Sequence, residues 1–263
     1  MLSISILKLL KIKDCITLIG TSLGVIALIC AVVGSRDSIS LGFFLISISL
    51  GTDLIDGYIA RKTNTVNEMG KELDSLSDSL TFGIAPAILS FQAFKTGDLF
   101  DIIIGIGSIC FVFGAILRLA RFNISKNTGY TGLPTPISAL LLIAFFYINY
   151  FYVLAIVAIG GSSYPLLNLS SYLIPIFLIL IGWFNVTTYI HFKEKDKPLY
   201  VAFIIVAPLC PILGIIGLSQ PNFIISIIIS IFFLCVFLLI LIIIVRGFFF
   251  YLKTKRNLPN LSS

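Results

Sequence analysis

The stretch "DLIDGYIARKTNTVNEMGKELDSLSD" runs from Asp53 to Asp78 and holds six of the chain's twelve acidic residues. Long apolar runs lie on both sides of it. Hydrophobic residues make up 58% of the chain and charged residues 11%, and the mean hydropathy is +1.10. A water-soluble domain of 263 residues could not cover so much apolar surface with so few charges. The composition therefore predicts a membrane protein, in which the acidic stretch requires an explanation.

The apolar runs predict a bundle of membrane-spanning helices. A span needs about 20 residues, and runs of that length occur about eight times. Each is predicted to be a helix, because a segment exposed to lipid must satisfy its own backbone hydrogen bonds. The predicted spans are 15–34, 39–61, 70–94, 100–121, 134–158, 172–192, 199–218 and 222–246. With an interfacial helix at 1–13, the expected fold is an all-α polytopic membrane helix bundle, one integral membrane domain over residues 1–263.

The basic residues predict the orientation of this bundle. If both termini face the cytoplasm, sixteen of the eighteen Lys and Arg residues fall on the inner side, and only Arg36 and Lys95 fall outside. This asymmetry is typical of proteins of the cytoplasmic membrane. The net charge of +6 then reflects residues that face lipid headgroups, and no nucleic-acid surface is expected. The five cysteines occur singly and predict neither a disulfide framework nor a zinc site.

The acidic residues are spaced so that their carboxylates converge. Asp53 and Asp56 are three residues apart on the second predicted helix, and Asp74 and Asp78 are four apart on the third, so each pair shares a face. The short turn at 62–69 brings the two helix ends together. An ionised carboxylate in a membrane helix costs about 3 kcal/mol at mid-bilayer, and neighbouring carboxylates repel. Divalent cations would remove both penalties, and oxygen ligands favour Mg²⁺, Mn²⁺ or Ca²⁺ over zinc.

The residues between the aspartates indicate a ligand site. Gly57 and Ala60 follow the first pair on the same face, where small side chains leave room for a ligand. Arg61 lies at the membrane boundary, where a guanidinium is placed to pair with a phosphate. Gly70 opens the third helix without a side chain, so a ligand could approach its backbone closely. A pair of bound metal ions would in turn clamp phosphate oxygens during a displacement.

The pattern D-x-x-D-G-x-x-A-R, followed after eight residues by G-x-x-x-D-x-x-x-D, resembles the motif of the CDP-alcohol phosphotransferases. All eight positions match: Asp53, Asp56, Gly57, Ala60, Arg61, Gly70, Asp74 and Asp78. The resemblance implies a membrane enzyme, usually a homodimer, with a polar cavity open to the cytoplasm. It implies that Asp53, Asp56, Asp74 and Asp78 bind divalent metal, that Asp78 is also the general base, and that Asp53, Gly57, Ala60, Arg61 and Gly70 line the CDP site. It covers residues 14–140, with additional helices at 141–246 and a cytoplasmic tail at 247–263.

Two further stretches narrow the resemblance within this family. "LDSLSDSLTFGIAPA" (73–87) and "RLARFNI" (118–124), which is followed by "GLPTP" (132–136), are similar to the branch that uses L-serine as the acceptor. The implied donor is CDP-diacylglycerol or its archaeal ether-lipid equivalent, CDP-archaeol. Arg118 and Arg121 share a helix face near the metal site and are candidates for binding the acceptor carboxylate and the donor phosphate.

One departure from the family pattern concerns the first helix. The family commonly has Pro-Asn before a threonine, whereas this chain has "KDCIT" (13–17). The difference weakens any assignment of nucleotide contacts to Asp14 or Thr17.

Three alternatives remain open on the sequence. The same family includes enzymes that use glycerol 3-phosphate, inositol phosphate or choline, and Arg118 and Arg121 do not exclude them. An intramembrane prenyltransferase also uses aspartates and Mg²⁺, but its acidic motifs usually lie far apart, whereas both pairs here lie within 26 residues. A divalent-cation transporter would place polar groups at mid-membrane along several helices, and the fifth, seventh and eighth predicted spans have essentially none.

Overall fold

The computed structural model describes residues 10–63, 68–125, 130–161, 168–192, 208–216 and 222–256. The helices are α1 (Ile12–Val33), α2 (Arg36–Thr63), α3 (Glu68–Asp78), α4 (Ala85–Phe94), α5 (Phe100–Ile124), α6 (Thr135–Ala158), α7 (Asn168–Val186), α8 (208–216) and α9 (Phe223–Arg256). A π-helical segment, Ser79–Ile84, joins α3 to α4 without a break. Two short strands, β1 (Tyr130–Thr131) and β2 (His191–Phe192), pair antiparallel.

Six of the described helices are long and apolar enough to cross a membrane: Lys13–Val33, Arg36–Gly57, Phe100–Ile124, Thr135–Ala158, Leu169–Val186 and Phe223–Lys253. They correspond to six of the eight predicted spans, and the all-α, multi-pass membrane fold is confirmed. The third predicted span is helical throughout, but its π segment divides it into shorter elements. The seventh predicted span and the interfacial helix lie largely outside the described residues.

The connections between α1 and α2 and between α4 and α5 are built from local capping bonds. Gly34 ends α1 with φ of 70°, and its N–H donates to the Cys30 carbonyl, a left-handed cap that favours glycine. Ser35 then accepts a bond from the Ser38 N–H and so caps α2. In the loop before α5, the hydroxyl of Thr96 donates to Asp98 and lowers the pKa of that carboxyl.

Helix α6 lies at the centre of the bundle. Buried residues make up 67% of its spanning window, compared with 33–44% for the other five spans. An aromatic cluster surrounds it, in which the Tyr147 ring lies 4.8 Å from Phe233 of α9 and 6.5 Å from Phe43 of α2. The buried Tyr147 hydroxyl donates to the Ser40 carbonyl at 3.0 Å, which satisfies its polar atom inside the apolar core.

Helices α5 and α7 cross at very close range, and small residues make this possible. Gly107 and Gly114 of α5 face Pro175 and Gly182 of α7. A Cβ atom on Gly114 would lie 2.3 Å from the carbonyl oxygen of Gly182. Membrane helices that lack a hydrophobic driving force for association often pack through small residues in this way. The crossing anchors α5, whose carboxyl end reaches the acidic residues of α2 and α3.

Candidate active site

Three carboxylates from two helices lie close together. Asp53 and Asp56 project from α2 and Asp74 from α3, and each offers an oxygen atom within 4.8 Å of the others. Asp56 is buried, and the other two are half-buried. The helical spacing of the aspartates explains why each pair shares a face, and the packing of α3 beside α2 makes the two faces meet.

Asp78 lies on the same side of α3, one turn after Asp74, but is not part of this close group of three. It lines a cleft of about 210 Å³ together with the three carboxylates. The remaining lining residues are Thr17, Gly20, Ser49, Thr52, Ser77, Thr81 and Phe82. The cleft is therefore lined by both carboxylates and hydroxyl groups.

Helix α1 supports the acidic residues through hydroxyl groups. The buried Thr17 hydroxyl donates to Asp56 Oδ2 at 2.8 Å, a bond between residues 39 positions apart. One turn later, the hydroxyl groups of Thr21 and Ser77 share a hydrogen bond of 2.7 Å, which links α1 to α3 between Asp74 and Asp78. A donor that holds a carboxylate in this way fixes which oxygen is turned toward a metal.

A lysine at the start of α1 adds positive charge to the site. Lys13 is 8% exposed, and its ammonium lies 3.2 Å from Asp14 Oδ1. Asp14 also accepts a bond from the Lys11 N–H at 2.7 Å, which caps the helix. The Lys13 ammonium interacts electrostatically with Asp56 and Asp74. Lys13 and Asp14 occupy the positions where the family pattern has Pro-Asn.

Arg118 of α5 adds a second positive charge to the site. It is 7% exposed, and its Nη1 donates to Thr135 Oγ1 at 3.2 Å. Its guanidinium stacks on Phe122 at 5.6 Å from the ring centroid. It interacts electrostatically with Asp53 and Asp78. The structure therefore brings this predicted residue to the site.

Arg121 shares a helix face with Arg118 but has different partners. Its guanidinium donates to the carbonyl oxygens of Val186, Thr131 and Asn185 at 2.6, 2.6 and 3.1 Å. These bonds join the ends of α5 and α7 to β1. Burial lowers the pKa of His191 on β2, and the positive charge of Arg121 lowers it further. The predicted role of Arg121 in binding the acceptor or a phosphate stays a prediction, and the structure gives it three carbonyl partners.

Asn123, near the end of α5, holds α3 in place. The Lys71 ammonium donates to the Asn123 carbonyl at 2.8 Å, and the Ser75 hydroxyl donates to Asn123 Oδ1 at 3.1 Å. The Asn123 amide in turn donates to Glu72 Oε2 at 3.3 Å. These three partners surround Asp74 in the sequence of α3, so the contacts fix the rotation of the helix that carries it.

The remaining predicted residues have simpler placements. Gly57 follows Asp56 on α2 and is half-buried, and Gly70 is buried one turn before Asp74. Ala60 and Arg61 lie in the last turns of α2, and their side chains fall outside the described part of the chain.

The chemistry of this donor set fits a divalent metal. All the grouped ligand atoms are carboxylate oxygens, which suit Mg²⁺, Mn²⁺ and Ca²⁺. Nearby positive charge from Lys13 and Arg118 offsets the negative charge only in part, so a cation at the carboxylates would be favoured. Neither Lys13 nor Thr17 was identified from the sequence. Their four-residue spacing on α1 was the available signal, but it does not show that they reach α2.

Comparisons with known proteins give a consistent picture. The family model described as CDP-alcohol phosphatidyltransferase matches residues 11–190. A CDP-diacylglycerol–serine O-phosphatidyltransferase of Methanocaldococcus jannaschii is 32% identical over 229 residues, which cover 87% of this chain and 94% of that relative. An archaetidylserine synthase of Methanothermobacter thermautotrophicus is 34% identical over 56% of this chain and 62% of that relative. A CDP-diacylglycerol–serine O-phosphatidyltransferase of Bacillus subtilis is 38% identical over 44% of this chain and 65% of its own length.

Proposed function

The chain belongs to the CDP-alcohol phosphatidyltransferase family, and we propose that it transfers the phosphatidyl or archaetidyl group of a CDP-linked lipid to the hydroxyl of L-serine. The products are CMP and a serine phospholipid. The observation that carries the proposal is the group of three carboxylates, with Asp78 beside it in one cleft. The similarity to serine-using relatives, one of them over nearly its whole length, supports the acceptor.

The grouped aspartates would together hold divalent metal. Bound there, Mg²⁺ or Mn²⁺, or Ca²⁺ as a further candidate, would offset the charge on the phosphate oxygens and on departing CMP. Asp53, Asp56 and Asp74 supply the ligand atoms, and Thr17 holds Asp56 in a fixed orientation. Asp78 stands outside the closest group, which supports its assignment as the general base, with a contact to the metal as in the family motif.

The chain's own groups account for the proton and the phosphate. Asp78 accepts the proton of the serine hydroxyl as that oxygen attacks the lipid-linked phosphorus. The bond between this phosphorus and the bridging oxygen of CMP breaks, and CMP leaves with the electron pair. Arg118 lies near Asp53 and Asp78 and is placed to stabilise a phosphate oxygen or the serine carboxylate. Gly57 and Gly70, with Ala60 and Arg61, would line the CDP site.

A serine acceptor suits the charges around the cleft. A phosphorylated acceptor would need several cationic side chains, but Arg121 donates to three backbone carbonyls. Among the described residues, the buried charged side chains are Lys13, Asp14, Asp56 and Arg118, all at one end of the bundle. This one-sided arrangement favours an enzyme over a cation pathway through the membrane.

The setting of the reaction is also a proposal. The distribution of Lys and Arg supports placement in the cytoplasmic membrane, with the cleft and both termini facing the cytoplasm. Membership of the family supports a homodimer. Native mass spectrometry from lipid nanodiscs would test this, and a mass of one chain at all protein concentrations would contradict it.

An acceptor panel tests the proposed function. Purified protein is given CDP-diacylglycerol or CDP-archaeol, Mn²⁺ or Mg²⁺, and one acceptor at a time: serine, glycerol 3-phosphate or inositol phosphate. We expect CMP release only with serine and metal together. Release with another acceptor would preserve the family chemistry and overturn the substrate. No release with either donor would contradict the catalytic assignment.

A further inference from the structure

The helix that carries Asp74 and Asp78 changes from α to π immediately after Asp78. The π segment Ser79–Ile84 ends with a bond from the Ala85 N–H to the Leu80 carbonyl oxygen, five residues earlier. A π segment shifts the direction of the side chains that follow it, and such segments occur frequently at functional sites. Thr81 and Phe82 of this segment line the cleft, and Thr81 carries a hydroxyl group.

The Thr81 hydroxyl has no hydrogen-bond partner among the described residues, although Thr81 is only 1% exposed. A threonine inside an α-helix usually bonds to the carbonyl one turn earlier. Thr21 on α1 does this, donating to the Thr17 carbonyl at 2.9 Å. The other hydroxyls that line the cleft all have partners: Thr17, Ser49, Thr52 and Ser77. A buried hydroxyl without a partner is costly, and for a residue that lines a cleft, a bound ligand is a group that can supply the partner.

The surroundings of Thr81 leave room for its hydroxyl. Gly24 of α1 faces it, and a Cβ atom on Gly24 would lie 2.6 Å from Thr81 Oγ1. Thr81 follows Asp78 by three residues, in the direction of the apolar helix α4. Two glycines are assigned to the CDP site. Gly57 comes after the aspartates of α2 and Gly70 comes before those of α3, so both lie on the other side of the carboxylates from Thr81. A ligand group at Thr81 therefore lies on the side of Asp78 away from the nucleotide.

We propose that Thr81 binds the amino-acid acceptor, its hydroxyl accepting a hydrogen bond from the α-ammonium group of serine. The proposal rests on the proposed function, in which the serine hydroxyl lies beside Asp78. Two carbon atoms separate this hydroxyl from the ammonium nitrogen, so one small molecule can reach both residues. A hydroxyl oxygen is a suitable acceptor for an ammonium donor.

The test measures CMP release as a function of serine and of CDP-lipid concentration. Thr81→Val replaces the hydroxyl with a methyl group and so keeps the shape of the side chain. Thr81→Ala removes both the hydroxyl and the methyl group, and Thr81→Ser retains the hydroxyl. We expect the Val and Ala variants to raise KM for serine about tenfold or more, with an unchanged KM for CDP-lipid. Thr81→Ser should remain close to the wild type. Ser90→Ala is the matched control, because Ser90 has a buried hydroxyl without a partner on α4, away from the cleft.

Acceptor analogues identify the contacted group. With 3-hydroxypropionate, which lacks the ammonium, wild type and Thr81→Val should react equally, whereas with ethanolamine the difference should persist. An unchanged KM for serine, a change in KM for CDP-lipid instead, or a loss that Thr81→Ser shares would overturn the inference. If the wild type releases CMP with serine and Thr81→Val matches it, this inference alone fails. If the wild type does not use serine, the proposed function fails as well.

Discussion

Asp78 is the residue whose role is tested by the smallest change. Asp78→Asn keeps the size of the side chain and removes its ability to take a proton. Loss of a general base lowers the rate by about a hundredfold to ten-thousandfold, and we expect a decrease of that order in kcat for CMP release. Asp98→Asn, in the loop before α5, is the matched control and should retain full activity. A rate for Asp78→Asn within a few-fold of the wild type would rule out Asp78 as the base.

Thr17 is expected to act through Asp56. Thr17→Val removes the hydroxyl that donates to Asp56 Oδ2 at 2.8 Å. Loss of a hydrogen bond to a metal-binding carboxylate lowers metal affinity by about tenfold to a hundredfold. The Mn²⁺ concentration for half-maximal activity should therefore rise by a similar factor. Thr17→Ser should restore it. Ser22→Ala on the same helix removes an exposed hydroxyl and serves as the control. Equal Mn²⁺ dependence in the wild type and Thr17→Val would show that the bond does not orient Asp56.

The sequence identifies the aspartates well and their partners poorly. Asp53 and Asp56 lie three apart, and helical spacing alone places them on one face. The bond from Thr17 to Asp56 joins residues 39 positions apart, and only the packing of α1 against α2 creates it. Arg118 and Arg121 appear equivalent by spacing. They differ because the carbonyls bound by Arg121 come from segments up to 65 residues away.

At the scale of the helices, the crossing of α5 and α7 depends on the absence of side chains. Gly114→Ala would place a Cβ atom 2.3 Å from the Gly182 carbonyl oxygen, so the helices must move apart. Such overpacking costs about 1–3 kcal/mol, and we expect a lower unfolding temperature in detergent. Gly105→Ala on the same helix is the control, because its Cβ atom would meet only Phe91 at 3.9 Å. If both variants unfold at the same temperature, the close crossing is not needed for stability.

The apolar pattern of the sequence predicts the long helices but not the π segment. Apolar length was sufficient to predict the helices at 100–121 and 134–158, which the structure has as Phe100–Ile124 and Thr135–Ala158. The π segment Ser79–Ile84 was not predicted, because one additional residue in a turn leaves no trace in an apolar pattern read at the period of an α-helix. Its consequence, the direction of Thr81, therefore depends on the structure.

For the whole molecule, the distribution of charge predicts which end faces the cytoplasm. In a variant with its five cysteines replaced by alanine, Lys95→Cys and Ser125→Cys flank α5 on opposite sides of the membrane. Both positions are exposed. We expect a membrane-impermeant maleimide to label the cysteine at 95 in intact cells, and the one at 125 only after permeabilisation. The opposite labelling pattern would reverse the orientation and move the cleft to the outer side.

The proposed function is tested most directly by metal-dependent transfer to serine. Purified wild-type protein in vesicles that contain CDP-diacylglycerol or CDP-archaeol is stripped of metal and given isotope-labelled serine, and labelled lipid is measured as Mn²⁺ is added. We predict no labelled lipid without metal, and a saturable rise with Mn²⁺ that matches CMP release mole for mole. Serine incorporation that does not respond to Mn²⁺, Mg²⁺ or Ca²⁺, or CMP release without labelled lipid, would contradict it.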